Sequence, residues 1–411
     1  MALIFTHKLS QKDIMKKNVT VYYSLIMAIY SIGFVAMSAF ANFYLLNNGL
    51  TSGNIGILLA VSSLVSVCLE PVVGALIDRT KWISTKGVLL VIGICISVLG
   101  LLILFLPNQT TTTITILYSL STVLLMLSQP FVSALGMDAV NYGYPINFGV
   151  GRGMGSLGYA LGSFAFGRIS VMFGPPCVPI AFAAAFGILC IILYLYPVKK
   201  EFKLVAEEAG KKKAHNSPFL FLIKYKRFAV ILVGLIMIYF SHSLINTFTL
   251  QIVEPKGGTS STMGTASAIA AIYELITTLL FAFYMKKIKL HIIIKISGIF
   301  FTLKTLFSFI VTTVPAFYAI QGLQMFGWGF MSIGIVYYVN NLVDDCDKAQ
   351  GQAYAGMSFT IASVLATSIG GNLIDVYGVN TMLIVGSIAA AVGTFILWIV
   401  MKETRPVAVQ K

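Results

Sequence analysis

Residues 197–227 read PVKKEFKLVAEEAGKKKAHNSPFLFLIKYKR, a lysine-rich polar strap in an otherwise apolar chain. Six long apolar runs precede it, at 20–46, 53–77, 87–106, 112–141, 149–173 and 177–197. Six more follow, at 228–253, 262–286, 291–313, 315–341, 351–374 and 379–401. An α-helix needs about 20 apolar residues to cross a bilayer, and a soluble domain has no use for twelve such runs. The expected fold is an all-α membrane protein of twelve transmembrane helices in two pseudo-symmetric six-helix bundles. The bundles take residues 1–197 and 228–411, and 198–227 is the linker. Short polar breaks such as Asn47-Asn48-Gly49, Pro107-Asn108 and Gly174-Pro175-Pro176 separate the runs.

Only 10% of the 411 residues are charged, yet the net charge is +14. Nucleic acid is one reading of that excess, but its distribution favours a membrane. Lys8, Lys12, Lys16 and Lys17 precede the first run, and Arg79, Lys81 and Lys86 lie between the second and third. The strap, the segment Lys286–Lys295 and the C-terminal Lys402, Arg405 and Lys411 carry most of the rest. An even-numbered threading puts all of these on one side and little beyond Lys256 on the other. That bias predicts cytoplasmic termini and a cytoplasmic strap in a multi-pass protein of the cell membrane. The basic start followed by an apolar run resembles a signal peptide, but the run is too long and eleven more follow, so it reads as a retained span.

Cys68, Cys95, Cys177 and Cys190 lie in or beside the runs, and Cys346 sits in an acidic loop with Asp344, Asp345 and Asp347. Their spacing fits neither a disulfide framework nor a zinc site, and the acidic loop reads as solvated. The halves echo each other at an offset of 204–208 residues. Gly53-Asn54-Ile55-Gly56 matches Thr262-Met263-Gly264, and Gly167 through Gly174 matches Gly371 through Gly378. Repeated halves predict a solute site at their interface near the bilayer midplane.

Ionisable residues inside apolar runs narrow the search. A charge at the centre of a spanning helix costs about 2.5–3.5 kcal/mol on insertion scales, so partners or a wet cavity are expected. Asp138 and Arg152 flank a short loop that can bring them face to face. Glu274 and Lys304 sit at matching depths of neighbouring antiparallel runs. Each pair reads either as a structural ion pair or as part of a site; buried pairs add little net stability, which favours the site. Glu70, before Pro71, reads as a protonatable carboxyl, a hydrogen-bonded neutral one or a kink partner. His242 is either a packing histidine or a ligand-facing one. Tyr159 lies two turns beyond Arg152 on nearly the same face and reads either as a core tyrosine or as a ring that stacks on a sugar or nucleoside.

Gly74-Ala75-Leu76-Ile77-Asp78-Arg79 resembles the loop signature of the major facilitator superfamily, with Thr80-Lys81-Trp82 in place of the glycine and arginines that usually follow. That resemblance implies a gating role for Gly74, Asp78 and Arg79. FGVGRGMGSLGYAL, residues 148–161, resembles the fifth-span signature of the oligosaccharide:proton symporters, the lactose permease-like group. Glu70-Pro71, Asp138-Ala139, Tyr273-Glu274-Leu275 and Met325-Phe326 fall at matching places. The resemblance implies that Arg152 holds sugar hydroxyls beside Asp138 and that Tyr159 stacks on the sugar ring. It also implies that Glu274 is the acidic ligand of the C-terminal half, and it places Lys304 where the group has an arginine tied to proton release.

The departures lie on the proton side. Gln324 and Gly327 replace the group's histidine and proton-carrying glutamate, and Ser243, Asn246 and Gln321 stand near positions of lost charged pairs. Proton coupling would therefore fall to Glu274, Glu70 or Asp138, with Lys304 alongside. The expected activity is secondary transport of a small polar solute, a sugar, oligosaccharide or glycoside, by proton symport and alternating access. The alternatives are a nucleoside carrier, a drug or cation exporter, or a non-transporting sensor on the same fold. No metal-binding spacing or nucleophile–base set lies within a run, and no ATP-binding signature is present, so neither an enzyme nor a cofactor is expected. The expected partners are solute, protons and lipid, without nucleic acid, and a monomer suffices mechanically.

Overall fold

A computed structural model of the chain describes residues 19–80, 82–106, 110–198, 218–344 and 347–403. The N-terminal basic cluster, Lys81, most of the strap, Asp345, Cys346 and the last residues lie outside the described portion, as do the side chains of Asp78 and Arg79. The spanning helices of the first half are α1 (Val19–Phe34, continued by a π turn at Val35–Ala39 and by Ala41–Asn47), α2 (Ser52–Arg79), α3 (Thr85–Phe105), α4 (Thr111–Asn141), α5 (Phe148–Phe173) and α6 (Cys177–Leu195). Those of the second half are α7 (Lys226–Thr247), α8 (Ser260–Lys287), α9 (Leu290–Ile310), α10 (Val314–Ile320, a 3₁₀ turn at Gln321–Met325, then Trp328–Leu342), α11 (Lys348–Tyr377) and α12 (Val379–Val400).

Among the described residues, eleven of these are long and apolar enough to cross a membrane. The remaining one, α5, has 26 residues, about 39 Å at 1.5 Å per residue. Glycines and two arginines dilute its apolar content.

Side-chain caps set several helix starts. Thr51 accepts from Asn54 N at 3.3 Å, Ser84 from Gly87 N at 3.1 Å, Thr110 from Thr113 N at 3.2 Å and Asn147 from Val150 N at 3.1 Å. Each satisfies an N–H that the helix leaves free. Two spans depart from regular α-helix, and in both a neighbour bonds the released backbone, as a bilayer demands. Tyr118 OH donates to Met37 O at 2.6 Å at the π turn of α1. At the break in α10, Thr277 Oγ1 donates to Met325 O at 2.9 Å and Ser297 Oγ to Gly327 O at 2.6 Å.

Lipid tails are as apolar as leucine, so spanning helices associate by close packing of small residues. On α5 the glycines 151, 155, 158 and 162 form one stripe, and a Cβ on any of them would meet α1 at Tyr23, Met27, Ala28 or Ile32. The two halves meet along α2–α11 and α5–α8. A Cβ on Gly56 would strike the Thr367 carbonyl, and one on Gly264 would strike that of Ser163. A Cβ on Gly371 would strike Ser52 O, and one on Gly167 would crowd Ser260 O. Those contacts are two copies of one arrangement at offsets of 208 and 204 residues. The same offsets relate Gly49 to Gly257 and Gly174 to Gly378, four turn glycines with φ between 69° and 86°.

Candidate solute-binding site

Between the halves lies a cavity of about 380 Å³, within the range of small-molecule sites. On α5, Arg152, Ser156 and Tyr159 lie at i, i+4 and i+7, on a face separate from the glycine stripe, and they line the cavity from the first half. Met27, Tyr30, Ser31 and Phe34 of α1 and Gln129, Val132 and Ser133 of α4 complete that side. From the second half come His242 and Asn246 of α7, Glu274 of α8, Gln321, Gln324 and Trp328 of α10 and Phe359 of α11.

One wall is aromatic. The His242 ring stacks on Trp328 with centroids 4.6 Å apart and planes 10° from parallel. Phe359 lies 5.3 Å from Trp328. Asn246 Nδ2 donates to His242 Nε2 at 2.9 Å, which leaves the ring proton on Nδ1, where it has no partner among the described residues. The rest of the lining carries Arg152, Glu274 and the amides of Gln129, Asn246, Gln321 and Gln324.

Four residues singled out in the sequence therefore share one cavity: Arg152, Tyr159, His242 and Glu274. The expected Asp138–Arg152 pairing is not formed. Asp138 Oδ2 instead accepts from Thr85 Oγ1 of α3 at 2.6 Å. The cause is helical phase, because Asp138 lies ~140° around α4 from the cavity-lining Ser133. The direct Glu274–Lys304 pair is also replaced. Lys304, 2% exposed, donates from Nζ to Gln324 Oε1 at 2.6 Å. Glu70 is half-buried on α2 and does not line the cavity. A Cβ on Gly74 would meet nothing within 4 Å, so no close approach occupies that position. Sequence reasoning missed Trp328, Phe359 and Gln129 and saw the α10 amides only as lost charges. Uncharged amides inside apolar runs are the signal that could have found most of them.

A bundle of paired six-helix halves with a polar, aromatic-walled hollow in their seam is the architecture of a membrane carrier. The chain belongs to the MFS_1 like family, whose model matches residues 20–385. It is a multi-pass membrane protein and a secondary active transporter of the major facilitator superfamily that moves a small solute. Its fold is similar to that of the nucleoside transporter NupG in the crystal structure of a point mutant, with a TM-score of 0.77 at 15% identity, covering 94% of this chain and 100% of that one. A point mutant of the peptide transporter POT in complex with alafosfalin has a TM-score of 0.70 at 12% identity, covering 94% and 93%. A bacterial homolog of the human lysosomal transporter Spinster, inward-facing and unoccupied, has a TM-score of 0.70 at 10% identity, covering 94% and 97%. No curated protein matches the sequence.

Proposed function

We propose that the protein carries nucleosides, with Glu274 as the group that couples transport to protons. The observation behind this is the division of labour around the cavity. A stacked His242–Trp328 wall suits a flat heteroaromatic base. Four amides offer donors and acceptors to its edge, while Arg152 and Glu274 suit ribose hydroxyls. A sugar would use the charged pair and Tyr159 but would leave most of the amides unanswered. The fifth-span resemblance to oligosaccharide:proton symporters concerns the ring-hydroxyl end of the site, which a nucleoside shares. The fold likeness to a nucleoside transporter supports the same reading.

Glu274 supports the coupling reading because no other carboxylate lines the cavity among the described residues. With the termini cytoplasmic, as the basic loops favour, the glycine contacts seal the outer end. Arg152, exposed in the first turns of α5, then marks the way in from the cytoplasm, and the conformation is inward-facing.

Uptake of labelled uridine, adenosine and inosine into proteoliposomes, set beside lactose, melibiose and cationic dyes, tests the assignment. Nucleoside uptake that Arg152→Ala reduces is the expected result. Sugar uptake without nucleoside uptake, or dye movement alone, would overturn it.

A further inference from the structure

The two ends of a glutamine amide are similar in shape and opposite in hydrogen bonding, so its orientation is decided by its partners. Two glutamines of the 3₁₀ turn in α10, Gln321 and Gln324, have partners that each play a single role. Lys304 Nζ donates to Gln324 Oε1 at 2.6 Å. An ammonium only donates, so this bond holds the Gln324 oxygen and turns its NH₂ away. Gln321 Nε2 donates to the Phe317 carbonyl at 3.2 Å. A carbonyl only accepts, so here the NH₂ is held and Oε1 is turned away. Neither free end, Gln324 Nε2 or Gln321 Oε1, has a protein hydrogen-bond partner among the described residues, and both side chains line the cavity. The two residues, Gln321 and Gln324, are only 3% and 5% exposed.

Side chains three apart in a 3₁₀ helix eclipse one another, so one donor and one acceptor are presented together on the same turn. The break in α10 produces this register. A continuous α-helix would set the two residues about 60° apart. Closing the cavity around a solute removes water from both groups, and a solute that fails to bond them leaves polar atoms unpaired.

We propose that Gln321 and Gln324 form a fixed acceptor–donor pair that reads the hydrogen-bonding edge of a nucleobase, with Lys304 as the positioning residue that holds the Gln324 amide. The inference rests on the nucleoside reading and deepens it. The matching edge has an acceptor, a ring carbonyl or ring nitrogen, that takes the Gln324 NH₂. Beside it stands an N–H that donates to Gln321 Oε1. Uracil, hypoxanthine and adenine edges meet this demand, and alkylation of the N–H abolishes it.

The test measures the affinity of purified protein for uridine against 3-methyluridine, inosine against 1-methylinosine, and adenosine against N6,N6-dimethyladenosine. In the wild type, the parent of at least one pair should bind at least about tenfold more tightly than its alkylated partner, a difference of ~1.4 kcal/mol. Gln321→Met removes the acceptor for the base N–H, and should bring the ratio near unity by weakening the parent alone. Lys304→Met frees the Gln324 amide to rotate and should weaken parent and alkylated nucleoside alike, because both keep the ring acceptor, with no further loss when Gln324 is also replaced by Met. A simple packing role for Lys304 would instead add its loss to that of Gln324→Met. If Gln321→Met does not fold, Gln321→Leu removes the same acceptor and serves instead. Equal wild-type affinities within every pair would overturn the edge-reading pair and leave the nucleoside reading standing. Binding of sugars without any nucleoside would overturn both.

Discussion

Glu274 and Asp138 show how little a residue type decides without its surroundings. Both are carboxylates in apolar helices, yet one lines the cavity and the other is held by a hydroxyl of the next helix. If Glu274 carries the coupled proton, Glu274→Gln should abolish solute-driven proton uptake into vesicles while exchange of labelled for unlabelled solute continues. Proton uptake equal to wild type would reject that role. Asp138→Asn should leave coupling intact and act through the cap-like bond to Thr85, with a modest loss of about 1–2 kcal/mol seen as a lower unfolding temperature. Arg152, Tyr159 and His242 were legible as cavity-lining residues because charge, aromaticity and helical spacing mark them. Trp328 was not, because a lone tryptophan in an apolar run looks like any other lipid-facing or core residue.

At the scale of the element, α11 and α2 hold the seam at the end remote from the termini. The Asp375 carboxylate accepts from Ser52 N at 3.0 Å and Gly53 N at 2.7 Å, two first-turn N–H groups of α2 that carry the positive end of the helix dipole. At the pseudo-equivalent seam, Ser170 Oγ donates to Ser260 Oγ at 2.8 Å instead. Asp375→Asn should favour opening at that end by about 1–3 kcal/mol, measurable as a longer spin-label distance between α2 and α11. An unchanged distance would show that the glycine contacts alone hold the closure.

The short helix Pro218–Lys224 is clasped to the second half. Lys224 lies 2.8 Å from Asp344 and 2.7 Å from Asp347, and Phe221 stacks on Tyr354 at 5.2 Å. Lys224, then Tyr225, holds the Asp347 carboxyl below its usual range. Asp344, Asp347 and then Tyr225 hold the Lys224 ammonium above its own. The carboxylate's contribution is in place above its ordinary pKa of about 4 and is lost as pH falls through the lowered value. The lysine's contribution is in place below about 10.4 and is lost as pH rises through the raised value. Hydrogen exchange over 218–227, corrected for intrinsic rate, should therefore be flat from about pH 5 to 9 and faster in Lys224→Met.

At the scale of the molecule, the two halves repeat in chemistry as well as in shape. Gly56 against Thr367 and Gly264 against Ser163 are one contact made twice, which a pseudo-two-fold carrier needs if its halves are to rock about a central site. With the far end sealed, Ser267→Cys, a cavity position on α8, should react with a membrane-impermeant maleimide from the side of the termini in a background free of the native cysteines. Gly56→Val should admit reagent from the other side by driving a side chain into the seam. Reaction of Ser267→Cys from the far side alone would mean that the resting conformation is the opposite one.

The number of spans, their approximate limits and the internal repeat were determined by sequence alone. Apolar run length is set by bilayer thickness, and a seam that admits no Cβ demands glycine at matched positions. The partners of individual side chains were decided only by tertiary structure. Whether Lys304 met Glu274 or Gln324, and whether Asp138 faced Arg152 or Thr85, depended on helix rotation and on the local 3₁₀ winding of α10. Run length and composition carry neither quantity, because lipid rewards an apolar surface at every rotation and packing between particular helices selects one.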